Sequence, residues 1–323
     1  MLIRFNHTTE LKYSGMISES VMELRVAPRQ ESYQHRLSFN LAIGPATTVA
    51  NYFDWLGNTV HHFSVNGYHD MLRIVATSVL DVNRTMFHYL DLPDTWPLPP
   101  LADYAMYDYL QFGGPIVDAP QLRSLVSELN MIDGAPVGEI VDRALTIIAT
   151  KFEYVQGITQ SSSPITDVLD HRKGVCQDFT HLFIGMLRAL NVPCRYVSGL
   201  VHPLDGTTIR GAMQTHAWCE VYFPSHGWLA VDPTNRQQAG SNFCTVAVGR
   251  DYRDVPPNRG LWRGKAKESI DVHVESELLN EVPEELAAER VQPLNAIPTY
   301  GGWSRERRAA ASDLQHAQQQ QQQ

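Results

Sequence analysis

The chain has 323 residues, of which 43% are hydrophobic and 19% charged, and 35 Asp and Glu against 26 Lys and Arg give a net charge of −9. That length suits two domains with a substantial core, no apolar run reaches the ~18 residues that would span a membrane, and the acidic surplus argues against general binding to nucleic-acid phosphates. Cys176, Cys194, Cys219 and Cys244 are too few and too scattered for a disulfide scaffold, and none belongs to a C-x-x-C zinc pair.

The first residues, MLIRFNHTTELKYSG, lack the charged start, apolar core and small-residue cleavage site of a secretory signal, so a cytoplasmic location is expected. A reducing compartment would keep the thiols free for chemistry. Residues 1–80 repeatedly alternate apolar with polar. Leu37, Phe39, Leu41 and Ile43 alternate with Arg36, Ser38, Asn40 and Ala42, and similar stretches surround 21–27, 59–65 and 71–79. Period 2 marks half-buried strands, and Gly57-Asn58 within DWLGN predicts a hairpin turn. These features predict an N-terminal antiparallel β domain over 1–95. Pro97, Pro99, Pro100, Pro115 and Pro120 then mark 96–120 as a proline-rich connection, because each proline removes a backbone donor.

Helical spacing follows. Leu122, Leu125, Val126 and Leu129 share one face, and Val137, Ile140, Val141, Ala144, Leu145 and Ile148 repeat the pattern more strongly. A third helix is predicted from near Gly174, with Val175, Phe179, Leu182, Phe183, Met186, Leu187 and Leu190 on its apolar face and Asn191 and Pro193 ending it. Period 2 returns at Arg195–Leu200, His216–Phe223, Trp228–Asp232 and Ser269–Glu275. Helices first and antiparallel strands after predict an α+β core over 121–280. The tail over 281–323, ending in glutamines at 318–323, reads as partly disordered, and its RERR cluster at 305–308 as a solvated charge run.

Chemistry concentrates at Cys176. It opens the strongest helix, where unpaired N–H groups and the helix dipole favour a thiolate. A nucleophilic cysteine needs a base and a group to orient that base. His216 and Asp232 are the candidates. On the strand HAWCEVYF, period 2 places His216, Trp218, Glu220 and Tyr222 on one face and Ala217, Cys219, Val221 and Phe223 on the other, which is read as the core face. Pairing Tyr222 with Trp228 across the PSHG turn would set Trp218 opposite Asp232 and His216 diagonal to it. A slip of one residue would turn Asp232 to the other face.

These residues also carry a resemblance. GVCQDFTHL at 174–182, QTHAWCEVYFPSHGW at 214–228 and VDPTN at 231–235 are similar, in order and spacing, to the three catalytic blocks of the transglutaminase-like superfamily. RYVSGL at 195–200, VAVGRDYRDVPP at 246–257, FNHTTELKY at 5–13, LRVAPR at 24–29 and DWLGN at 54–58 extend the likeness to the bacterial branch with an N-terminal β domain before a papain-like core. It covers roughly 1–275. Trp55-Leu56 and Cys219 depart from the usual pattern. The resemblance implies Cys176 as nucleophile, His216 as general base and then acid, and Asp232 as the group holding the imidazole. It implies acyl transfer from a peptide or protein amide through a thioester, without cofactor. Water as acceptor would make a protease, amidase or deamidase, and a lysine amine a transglutaminase.

The other residues are read more plainly. The Cys176 N–H is the expected oxyanion donor, with Tyr154 and Gln156 as guesses for the second. Trp218 is offered as a wall of the substrate cleft or a packed aromatic. Asp178 is read as complementing the helix dipole, His181 as packing, and Cys194, Cys219 and Cys244 as structural. His61, His62 and His88 have no partners at metal spacing, so no metal is expected. Hydrolysis leads the expectations. Transamidation, acyl loading from a small donor as in arylamine acetyltransferases, and a non-catalytic interaction module with a vestigial site are the alternatives.

Overall fold

Residues Leu2–Leu24 form β1, with inward and outward side chains alternating over most of its length. Gln34–Gly44 (β2), Val49–Phe53 (β3) and Thr59–Val82 (β4) follow, and β1 and β2 both pair antiparallel with β4. The turn at Gly57-Asn58 joins β3 to β4, and Gly57 takes φ 76° there, a backbone region open to a residue without Cβ. The computed structural model describes residues 1–297 except 86, 102, 205–209, 211–214, 285–288 and 295–296. The RERR cluster and the terminal glutamines therefore lie outside the described residues.

Neither the end of the segment expected in the 1–95 domain nor the start of the proline-rich stretch is a free connection. Tyr89 is buried in the helical core and its hydroxyl donates to Asp142 at 3.1 Å, while Trp96 Nε1 donates to Leu190 O at 2.8 Å. Helices follow at Pro120–Ser127 (α1) and Val137–Lys151 (α2). The short strand Glu153–Tyr154 (β5), the helix Ile165–His171 (α3) and the strand Lys173–Gly174 (β6) lead into Cys176–Arg188 (α4). Periodicity does not predict α3, a seven-residue helix that follows Ser163-Pro164 and is too brief for a periodic signal.

The second sheet has Cys194–Val201 (β7), His216–Phe223 (β8), Gly227–Asp232 (β9), Gln237–Gln238 (β10) and Phe243–Gly249 (β11), in the order β10-β9-β8-β7-β11. Ala217, Cys219, Val221 and Phe223 of β8 face Phe179, Phe183 and Leu187 of α4 in one cluster, as the parity predicts. The opposite face is buried too, with Trp218, Val197, Ala230 and Phe243 packed together. A sheet covered on both sides specifies register twice over.

The chain then returns to the first sheet. Asn258–Arg263 (β12) and Glu268–Leu278 (β13) pair antiparallel with successive stretches of β1, and Arg290–Pro293 (β14) pairs parallel with β2. Ser269–Glu275, expected among the strands of the 121–280 core, thus belongs to the N-terminal sheet. Alternation identifies a strand but not its partner, and the edge of β1 away from β4 needs backbone partners that only a distant segment supplies.

The two sheets are joined along β11. Gln34 and Asn58 are fully buried. Gln34 Nε2 donates to Thr245 O and accepts from the Thr245 N–H through Oε1, both at 2.8 Å. Asn58 does the same at Val248, at 2.8 and 2.9 Å. Two carboxamides from the β domain thus take the place of a neighbouring strand. Each edge group left unpaired in this buried joint would cost about 1–3 kcal/mol. Ile3, Phe5, Leu80 and Val82 pack against Leu200, Cys244 and Val246 beside it.

Buried histidines make stability depend on pH. Burial pushes His7 from its ordinary 6.5 down to about 4, and burial likewise takes His181 down to about 3. Both folded values lie below the unfolded one, so their stabilising contribution is complete above pH 6.5 and is lost as pH falls toward 4, where the unfolded chain binds protons the folded chain excludes. The loss is on the order of 3 kcal/mol per histidine at pH 4. Urea unfolding should show a midpoint that falls between pH 7 and pH 4.5 at constant m; a flat midpoint would contradict this assignment.

Candidate active site

Cys176 is the first residue of α4 and remains partly exposed. The approach to it is fixed by Asp178, which is 1% exposed and accepts the Val175 N–H at 2.8 Å and the Thr159 hydroxyl at 2.5 Å through Oδ2. Burial raises the pKa of this carboxyl against the downward pull of those two donors. A Cβ at Gly174 would fall 2.8 Å from Asp178, so glycine is needed for the carboxylate to fold back over the helix start. Asp178 therefore shapes the turn that carries Cys176.

His216 and Asp232 meet on adjacent strands. Tyr222 pairs with Trp228 and Cys219 with Val231, the register that puts His216 diagonal to Asp232. His216 Nε2 lies 2.9 Å from Asp232 Oδ2, and both side chains are buried. The carboxylate is aimed by its own turn. Thr234 N–H donates to Oδ1 at 2.9 Å, and Asn235 Nδ2 donates to Oδ2 at 2.7 Å. Pro233 ends the strand, and the Thr234-Asn235 pair that follows supplies the donors. VDPTN contains this Asx turn, yet the sequence reading assigns Asn235 no role.

With Nε2 bound to Asp232, Nδ1 is left for Cys176. Nδ1 is buried and makes no hydrogen bond, and Cys176 is close enough to raise the pKa of the ring. Burial alone would push the imidazole down, but the Asp232 charge and hydrogen bond, joined by Cys176, outweigh it and raise the pKa to about 10. The site favours an imidazolium at neutral pH.

Trp218 does not line a cleft. It is 0% exposed, its ring centre lies 5.2 Å from that of Phe243 in an edge-on contact, and it backs His216 at 6.1 Å. A Cβ at Gly199, the residue paired with His216 on β7, would fall 2.2 Å from the Trp218 ring. The indole fills that space from below because the second buried layer closes the face that parity alone leaves open to substrate.

Tyr154 lies near Cys176, and Gln156 lies beside Tyr154. β5 runs parallel to β6 with Tyr154 opposite Gly174, and the Val155 N–H donates to Gly174 O at 2.9 Å. Tyr154 is half-buried; burial and then the Cys176 charge raise its pKa, while a Gln156 hydrogen bond and Arg210 lower it. His181 is buried, its Nε2 accepts the Tyr252 N–H at 3.1 Å, and its ring packs on Tyr196. Cys194, Cys219 and Cys244 are 0% exposed and burial pushes their thiols up. His61 packs on Phe39 and His62 on Tyr52, and the described residues hold no cluster of three or more His, Cys, Asp or Glu with metal-binding geometry.

Residues 124–233 match the model of the transglutaminase-like superfamily, and residues 3–81 match that of the bacterial transglutaminase-like N-terminal region. An uncharacterised protein of Mycobacterium tuberculosis is 32% identical over 286 residues, which cover 84% of this chain and 91% of that one. The chain belongs to the transglutaminase-like superfamily. An uncharacterised Mycobacterium leprae protein is 30% identical over 84% of this chain and 97% of its own. A protein-glutamine gamma-glutamyltransferase of Pseudomonas aeruginosa is 28% identical over 161 residues, 46% of this chain and 24% of the relative. A crystal structure from Cytophaga hutchinsonii, described as a candidate cysteine protease, superposes with a TM-score of 0.71 at 22% identity, covering 87% of this chain and 92% of that one. The shared fold is a mixed α+β arrangement.

Proposed function

We propose that this member of the superfamily is a cysteine enzyme that takes an acyl group from a peptide or protein amide through a thioester and passes it to water. The observation that carries the reading is the His216 ring, bound at Nε2 by Asp232, with Nδ1 reserved for a cysteine at a helix start. A thiolate–imidazolium pair attacks without first losing a proton to solvent.

In the first step the Cys176 sulfur adds to the amide carbon. The oxyanion is met by the Cys176 N–H, which lies in the helical turn that has no internal acceptor, and Tyr154 is proposed as the second donor with Gln156 orienting its hydroxyl. The C–N bond then breaks as His216 gives its Nδ1 proton to the leaving nitrogen. Water attacks the thioester in turn as the now neutral imidazole takes its proton, and the C–S bond breaks to release the carboxylate product and return Cys176 as thiolate beside the imidazolium. Asp232 keeps the ring oriented through both steps. The named activity of the Pseudomonas aeruginosa relative favours transamidation as the second reading, in which a primary amine replaces water.

Intact mass spectrometry tests both. Incubation with glutamine-containing peptides should give a transient acyl adduct on Cys176 and free ammonia, with carboxylate product in water and amide product when a primary amine is added. A chain that forms no adduct and releases no ammonia or amine from any amide would overturn the reading.

A further inference from the structure

Arg210 is a cation fastened beside the triad from two directions. The Arg210 N–H donates to Asn235 Oδ1 at 3.1 Å, and Asn235 Nδ2 donates back to Arg210 O at 3.5 Å. That same carboxamide donates to Asp232 Oδ2 at 2.7 Å, so the backbone carrying Arg210 is tied to the triad carboxylate through one side chain. At its other end the guanidinium carbon lies 5.7 Å from the centre of the Tyr154 ring. Tyr154 in turn pairs with Gly174, two residues before the nucleophile.

Arg210 is exposed, and no Asp or Glu among the described residues forms an ion pair with it. A guanidinium beside an aromatic ring keeps its in-plane N–H groups free, and that fork matches a carboxylate in a bidentate pair. A buried structural arginine would look different. Arg195 of this chain is bonded to the fully buried Glu220 at 2.5 Å and lies against Trp228.

We propose that Arg210 is a specificity residue that selects amide substrates bearing a carboxylate close to the scissile carbonyl. The inference rests on the thioester reading of the site and adds its substrate class. The carboxylate could be an acidic side chain or a chain terminus; both would present the same anion to the same fork. A single guanidinium suits such a monoanion. Arg210 acts on binding, so its effect belongs in KM more than in kcat.

Two alkylating reagents of nearly equal size provide the test without a known substrate. Iodoacetate carries a carboxylate where iodoacetamide carries a neutral amide, and both report on Cys176 by intact mass. The readout is the ratio of their rate constants in the wild type, Arg210→Gln and Arg210→Lys. The iodoacetate-to-iodoacetamide ratio should fall about three- to tenfold in Arg210→Gln, as expected for losing one unit charge near a partly screened site, stay near the wild-type value in Arg210→Lys, and shrink with added salt in the wild type and Arg210→Lys but not in Arg210→Gln. A ratio unchanged in Arg210→Gln would overturn the inference while leaving the thioester reading intact. Failure of Cys176 to react with either reagent faster than a model thiol would defeat the thioester reading and this inference with it. Glutamine peptides with Glu or Gln beside the reactive residue, and with free or amidated C-termini, then separate the two sources: KM for the preferred acidic form should rise about tenfold in Arg210→Gln.

Discussion

Cys176→Ala is expected to lower amide turnover by on the order of 10⁴- to 10⁶-fold, because removing a nucleophile disables the whole catalytic unit and leaves only binding and oxyanion donors. Stability should change little. The position is partly exposed at the first residue of α4, where alanine is an acceptable helix former. The unfolding free energies of the two proteins from urea titration should agree to within about 0.5 kcal/mol. Cys219→Ser gives the opposite pattern, since Cys219 is 0% exposed among apolar neighbours: a new buried hydroxyl should cost about 1–3 kcal/mol with turnover per folded molecule retained. Equal turnover in the wild type and Cys176→Ala would remove Cys176 from the chemistry.

Asp232→Asn is expected to cut kcat at neutral pH by about 10³–10⁴-fold, the scale seen when a triad carboxylate becomes an amide and the imidazole loses its orientation and charge partner. The pH profile carries a second, independent signature. In the wild type burial pushes His216 down, but Asp232 and Cys176 raise it to about 10, so the imidazolium persists through neutral pH and activity should decline only as pH climbs toward that value. Without the carboxylate the burial effect dominates and the alkaline limb should move to lower pH.

The stability sign follows from the same shift. A folded value above the unfolded 6.5 gives stabilisation that is fully present below pH 6.5 and is lost as pH rises through about 10, the reverse of His7 and His181. Asp232→Asn should therefore flatten the decline in urea midpoint between pH 7 and pH 10. A full alkaline limb at unchanged pH in the variant would show that Asp232 does not set the charge of His216.

Much of the site was legible because its chemistry depends on local rules. A cysteine opening an apolar-faced helix marks itself by position. Period 2 and a four-residue turn determine that His216 and Asp232 share a face, and the observed pairing of Tyr222 with Trp228 is the one those rules predict. Trp218 shows where the same rules stop. Parity assigns it to the His216 face, but whether that face is open to substrate depends on Ala230, Ala239 and Phe243, which the alternation along β8 does not encode.

Longer-range pairing was similarly hidden. β13 shows the strand pattern plainly, yet it lies against β1 at the far end of the chain rather than beside β11. Gln34 and Asn58 look like ordinary turn and strand polar residues until their carboxamides are seen replacing a strand along β11.

What the sequence by itself determined about this protein is the helix that opens at Cys176 and the hairpin that brings His216 beside Asp232, because those rest on periodicity and short spacing within a few turns of backbone. Only the tertiary structure decided that Trp218 is a floor rather than a wall, that the N-terminal sheet is completed by the C-terminal strands, and that Asn235 ties Arg210 to the triad. Each depends on which distant surfaces exclude water together, and burial of that kind is a property of the packed chain rather than of any segment in it.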